Sequence, residues 1–177
     1  MTGIMAAFGA QTNNPTVPGL IQYTYDNVYF NDNVNYFNSA TPTSTSIDTT
    51  TITASDNSNV ASRSNQWLGY WYVQTSGNYN FNLYSTDSTY FWIGPNAVSG
   101  YTALNATISN PGVHSLEYVT SPTQALTGGL YYPVRIQWGY YYLTNYAGSF
   151  DLYWQSDSQS LTTTVTGRVF NRPGSGL

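Results

Sequence analysis

Apolar residues recur at every second position through the middle of the chain. In Trp67–Ala97, WLGYWYVQTSGNYNFNLYSTDSTYFWIGPNA, Tyr79, Phe81 and Leu83 alternate with Asn78, Asn80 and Asn82. That is the period of a strand with one dry face and one wet face. The turn chemistry of Thr75-Ser76-Gly77-Asn78 and the polar loop Ser85–Ser88 divide the stretch into three strands. Leu130–Trp138 alternates in the same way, with Tyr132, Val134, Ile136 and Trp138 on one face and Pro133, Arg135 and Gln137 on the other. Ser149–Gln155 places Phe150, Leu152 and Trp154 inward.

Further strands are expected within Leu20–Phe30, at His114–Thr120 and over Thr162–Phe170. Residues 39–64, almost wholly Ser, Thr, Asn and Asp, read as a long solvated connection with a short strand at Thr50–Ala54. Gly100–Pro111 and Tyr140–Gly148 read as loops, and Pro122–Gly129 as a turn. No apolar pattern at i, i+3, i+4 and i+7 runs for a helical length. Eight to ten short strands with turns between them give an all-β fold, an antiparallel sandwich or barrel. We divide the chain into an N-terminal arm (1–17), one sandwich domain (18–170) and a C-terminal tail (171–177).

Composition changes the picture of the surface. Charged residues make up 7% of the 177 residues, against roughly 25% in an average soluble protein. Lys is absent, and the four basic residues are Arg63, Arg135, Arg168 and Arg172. With a net charge of -4 and no basic cluster, a nucleic-acid partner is not expected. No apolar run is long enough for membrane insertion. Met1–Phe8 lacks the positive start and apolar length of a secretory signal. There is no Cys, hence no disulfide and no thiolate metal site. A Lys-free surface of Asn, Ser, Thr and Tyr suits packing among copies, as a homo-oligomer, or contact with glycans.

Together the motifs resemble the GLEYA adhesin branch of the protective-antigen-type β-sandwich superfamily, which includes the yeast flocculins. They are the Gly-aromatic strand, T-x-G-x-Y-x-F, a short acidic loop, and an aromatic strand ending in W-I-G-x-x-A. Leu130–Ile136, Gly148–Leu152 and the Pro18–Phe37 opening resemble other parts of the pattern, so the likeness covers roughly residues 18–155. It implies a jelly-roll-like sandwich that binds carbohydrate through a calcium ion held by two adjacent Asp residues. Asp87 matches the first of them, and Ser88 stands where the second would be. Calcium affinity follows carboxylate count, so the loop is one ligand short and no cofactor is expected to be held tightly. The second family loop falls near Tyr140–Gly148, with Asn145 as an oxygen ligand and Tyr140, Tyr141, Tyr142 and Tyr146 as rings that stack on sugars. Three consecutive Tyr cannot all face one way on a strand, so at least one of Tyr140–Tyr142 is expected outside.

Other residues carry simpler readings. Asp87 is a metal ligand or a turn residue accepting backbone N–H bonds. Trp92 is core, His114 a surface strand residue, and Arg135 a cation–π or ion-pair partner inside the sandwich. Asn105-Ala106-Thr107 matches a glycosylation sequon that is expected to be unused. Glycosidase work needs a carboxylate pair; Glu117 with Asp151 is one possibility, though no spacing singles it out, and an enzyme is not expected. Two functions remain. One is a virion structural protein (capsid decoration, spike or tail-fibre component) whose partners are other virion proteins and host glycans. The other is a calcium-dependent lectin or adhesin module of a cell surface.

Overall fold

The computed structural model describes residues 16–49, 52–56, 61–142, 147–163 and 170–173. They form an all-β sandwich of two sheets in which every paired neighbour is antiparallel. The eight-stranded sheet contains β1 (Thr16–Pro18), β2 (Leu20–Asp26), β3 (Ser44–Asp48), β5 (Arg63–Tyr72), β7 (Thr89–Ile93), β8 (Ile108–Asn110), β11 (Tyr131–Tyr140) and β14 (Phe170–Pro173). The six-stranded sheet contains β4 (Thr53–Asp56), β6 (Gly77–Ser85), β9 (Glu117–Thr120), β10 (Gln124–Leu126), β12 (Gly148–Ser156) and β13 (Gln159–Thr163). Three short 3₁₀ turns, Tyr36–Asn38, Pro95–Ala97 and Ala103–Asn105, lie in the connections.

The alternation read from the sequence fills the space between the sheets. Trp67, Trp71, Val134, Ile136 and Trp138 from one sheet meet Phe81, Leu83, Phe150 and Leu152 from the other. Trp67 stacks on Phe150 with ring centroids 5.3 Å apart, and Trp71 meets Phe81 edge-on at 5.1 Å. Each such side chain contributes about 1.5–3 kcal/mol by leaving water.

A second core covers the opposite face of the larger sheet. Tyr25, Phe30, Val34, Phe37, Tyr90, Trp92, Ala97 and Tyr101 are buried there, beneath the connections that follow β2 and β7. Trp92 is therefore core, as expected, though in this second cluster. Arg135 lies under it too. Its guanidinium sits 3.9 Å from the Tyr101 ring centroid, donates to Ala97 O (2.9 Å) and to Gln66 Oε1 (2.6 Å), and its pKa is lowered by burial. The cation–π reading holds.

Several boundaries differ from expectation. Residues 39–64 hold the edge strand β3 and the strand β4 and begin β5. Their Ser and Thr side chains gave no alternation because β3 is wet on both faces at Ser44–Ser46. β8 and β10 replace stretches read as loop and turn, and β9 starts at Glu117, leaving His114 in the preceding loop. Residues 16–18 and 171–173, assigned to the arm and tail except Pro18, pair with each other, with Thr16 opposite Pro173.

Candidate functional site

The turn Thr86-Asp87-Ser88 between β6 and β7 sits at one end of the sandwich, where three connections converge on it. Asp87 has a left-handed backbone, φ 56°, which Asp tolerates better than most side chains. That conformation turns its carboxylate inward, where it is fully buried. One carboxylate oxygen accepts the backbone N–H of His114 at 3.0 Å, in the connection after β8. The other accepts that of Tyr141 at 2.8 Å, just beyond β11. One side chain thus joins two loops that lie 27 and 54 residues along the chain. Hydrogen bonds to an ionised acceptor are roughly twice as strong as neutral ones.

The rest of the turn is held as closely. Thr86 Oγ1 accepts Ser149 N–H at 2.9 Å, Thr86 O accepts the Trp138 indole N–H at 3.0 Å, and Ser88 O accepts Gly139 N–H at 2.9 Å. Ser88 Oγ bonds the Tyr29 hydroxyl and accepts Gly112 N–H. Burial pushes the Tyr29 hydroxyl up to about 12, with Asp32 and Asp87 adding to the rise. Asp32 brings in the third connection, accepting the Tyr90 hydroxyl at 2.9 Å and Gly112 N–H at 3.1 Å. Gly139 allows this approach, since a Cβ there would fall 2.6 Å from the Phe30 ring.

Above this network lies an aromatic surface. Tyr29 and Tyr141 have ring centroids 5.4 Å apart, and Tyr141 and Tyr142 5.8 Å. Tyr141 is half-buried and Tyr142 is 38% exposed. The connection anchored at His114 adds exposed Val113 and Leu116.

The expected site residues separate clearly. Asp87 is here, with the role of an acceptor of backbone N–H bonds rather than an exposed ligand. Its partners are remote loops, not the residue two positions on. Tyr141 and Tyr142 form the aromatic surface. Tyr140 does not: β11 continues through it, keeping the inward parity of Ile136 and Trp138, and its ring is fully buried against Trp138 and Gly148. A Cβ on Gly148 would lie 2.7 Å from that ring, so the Tyr140 platform is corrected to a core residue. Asn145 and Tyr146 lie outside the described residues. Tyr29 and Asp32 went unrecognised, although Asn31-Asp32-Asn33 after an aromatic strand is a turn signal in its own right.

Two other sequence readings meet the geometry here. His114 is a half-buried loop residue, its Nδ1 2.7 Å from Ser115 O. Glu117 lies opposite Ser85 and Asp151 opposite Tyr84. Successive residues of β6 face opposite sides, so those two carboxylates do not form a catalytic pair.

Calcium takes 6–8 oxygen ligands. At this turn the single buried carboxylate already accepts an N–H on each oxygen, and the Thr86 and Ser88 carbonyls and the Ser88 hydroxyl are engaged by protein donors. Among the described residues no three acidic or His side chains cluster. The described residues do not fit the ion.

The family model described as the GLEYA domain matches residues 64–162, more than half of the chain. The chain belongs to the GLEYA domain family. No curated protein matches it. Among solved structures, this GLEYA domain is similar to the A domain of Epithelial Adhesin 6 from Candida glabrata, solved in complex with Galβ1-3GlcNAc. The identity is 14%, covering 93% of this chain and 91% of that one, with a TM-score of 0.69. It is also similar to the PA14 domain of the antifreeze protein MpAFP (16% identity, 96% and 98% covered, TM-score 0.65). A third is the PA14 sugar-binding domain of an RTX adhesin (12%, 88% and 99%, 0.62). Likeness at these identities establishes the shared fold.

Proposed function

We propose that this GLEYA domain is a non-catalytic adhesive module that binds glycan at the Asp87 tip, through Tyr141 and Tyr142, without a calcium ion. The observation that carries the reading is the pair of backbone N–H bonds to Asp87. They fix the two loops in place with protein groups alone and leave Tyr142 exposed beside the Tyr141 ring. Aromatic rings of this kind give apolar contact area together with a polar hydroxyl, matching the alternating C–H and O–H faces of a sugar. Relatives support it: an adhesin domain was solved with Galβ1-3GlcNAc, and a PA14 domain is described as sugar-binding.

Display at a cell surface has the support of these adhesin relatives. Display on a virion with virion partners, and assembly as a homo-oligomer, were expected from the Lys-free composition and have no comparable support.

The test is glycan-array binding of the purified chain, repeated with Tyr142→Ala. Binding that falls at least tenfold in the variant at unchanged melting temperature supports the tip. Binding untouched by the substitution sinks it.

A further inference from the structure

The outer face of the six-stranded sheet carries a negative charge that no described cation balances. Asp151 lies on β12 between Tyr84 on β6 and Thr53 on β4. Tyr118 on β9 lies beyond Tyr84, and Tyr153 follows Asp151 on the same face of β12. Tyr118 and Tyr84 are 50% and 36% exposed, with ring centroids 6.3 Å apart. Burial raises the Tyr153 hydroxyl pKa first, and Asp151, Tyr118 and Tyr84 add to it, as expected of four groups sharing one patch.

Asp151 is half-buried, and its pKa is raised by desolvation alone. Its carboxylate therefore gives up part of its water without gaining a charge partner. The described residues of the chain supply none. Lys is absent, and Arg63, Arg135 and Arg172 all lie on strands of the other sheet. Arg63 is paired with Asp26 at 2.9 Å, and Arg135 is buried, donating to Ala97 O. A cation for Asp151 has to come from another molecule.

We propose that this face docks an extended Arg-bearing segment of a partner protein, with the guanidinium on Asp151 and stacked against Tyr84. A guanidinium is planar, forks onto a carboxylate and lies flat on an aromatic ring. An anionic ligand meets only like charge here. A neutral ligand leaves Asp151 uncompensated, and calcium needs far more oxygens than one carboxylate offers. A chain suits the face better than a small cation, because the polar surface runs on. It passes Gln155 and Asn80 into a depression of about 460 Å³ beside the exposed carboxylate of Asp157. Asn and Gln side chains both donate and accept, as a peptide backbone does. From Asp151 to Asp157 the strand spans about 20 Å at 3.4 Å per residue. The proposal neither uses nor requires the tip.

The test is an NMR titration of the full chain with capped nine-residue peptides carrying one central Arg among neutral residues. The same peptides with Gln or Glu at the centre, and neutral β-1,4-linked hexasaccharides, serve as comparators. The expected result is that the Arg peptides alone perturb the Tyr84, Tyr118 and Tyr153 resonances, with binding weakened by added salt. Asp151→Asn should weaken binding at least tenfold at unchanged or higher melting temperature. Glu117→Gln, which removes a charge off this face, and Tyr142→Ala should leave it within twofold. The proposal is overturned if no Arg peptide moves these resonances, or if the Gln peptides or a hexasaccharide move them as strongly. It is overturned equally if binding survives Asp151→Asn or if Glu117→Gln weakens it as much. Glycan binding at the tip is read through Tyr142, so the two readings fail separately.

Discussion

The outer faces of the two sheets use the same residue types and end in opposite states. On the eight-stranded sheet, Tyr90, Trp92 and Arg135 are roofed by Phe30, Phe37 and Tyr101. Their polar atoms find partners: the Trp92 indole donates to Thr102 O at 3.1 Å and Tyr90 to Asp32. On the six-stranded sheet, Tyr84, Tyr118 and Tyr153 have no roof, Asp151 is half-open to water, and the buried Asn82 amide nitrogen has no acceptor. An aromatic row at alternating positions therefore does not by itself mean core. What decides is whether a connection is long enough and apolar enough to fold back over it. The connections after β2 and β7 are; those flanking β6 are short and polar.

The largest expected effect comes from breaking the roofed face. Trp92→Ala should cost about 3–5 kcal/mol, measured by chemical denaturation, whereas Tyr118→Ala on the bare face should stay within about 0.5 kcal/mol. Equal costs would erase the distinction between the faces.

Next comes the carboxylate contrast. Asp87→Ala orphans two backbone N–H groups and strains a left-handed position, and should cost about 2–4 kcal/mol. Asp87→Asn tolerates the backbone but turns an N–H donor toward an N–H, and should cost less. A stability unchanged by Asp87→Ala would contradict the bridging role.

Asp151→Asn should act in the opposite direction and more weakly. Its folded pKa is raised by desolvation, so the protonated form is favoured in the fold. That contribution is present at low pH and is lost as pH rises through the folded value. At pH 7 the variant should therefore melt about 1–2 °C above the parent, an effect reduced by solvent screening. The gap should close as pH falls toward 4. A destabilised Asp151→Asn would show that the carboxylate has a partner.

The sandwich was legible because Phe81, Leu83, Val134, Ile136, Phe150 and Leu152 alternate cleanly between a wet and a dry side. The same parity rule, carried two residues past Trp138, would have placed Tyr140 inside; reading a Tyr run as a loop hid it. β3 was invisible because a strand with exposed Ser and Thr on both faces has no hydrophobic period. At the tip, Asp87 was recognisable as turn chemistry, but its bonds to His114 and Tyr141 depend on contacts between distant loops that no local pattern encodes. Tyr29 and Asp32 join the site for the same reason.

The central claim is a tip fixed by Asp87 that presents Tyr142 to glycan without calcium. Its most direct test is array binding of the purified chain in excess calcium and in excess chelator. The account predicts the same glycans bound at the same strength in both, and lost when Tyr142→Ala is added. Binding that vanishes with the chelator, or persists without Tyr142, would contradict it.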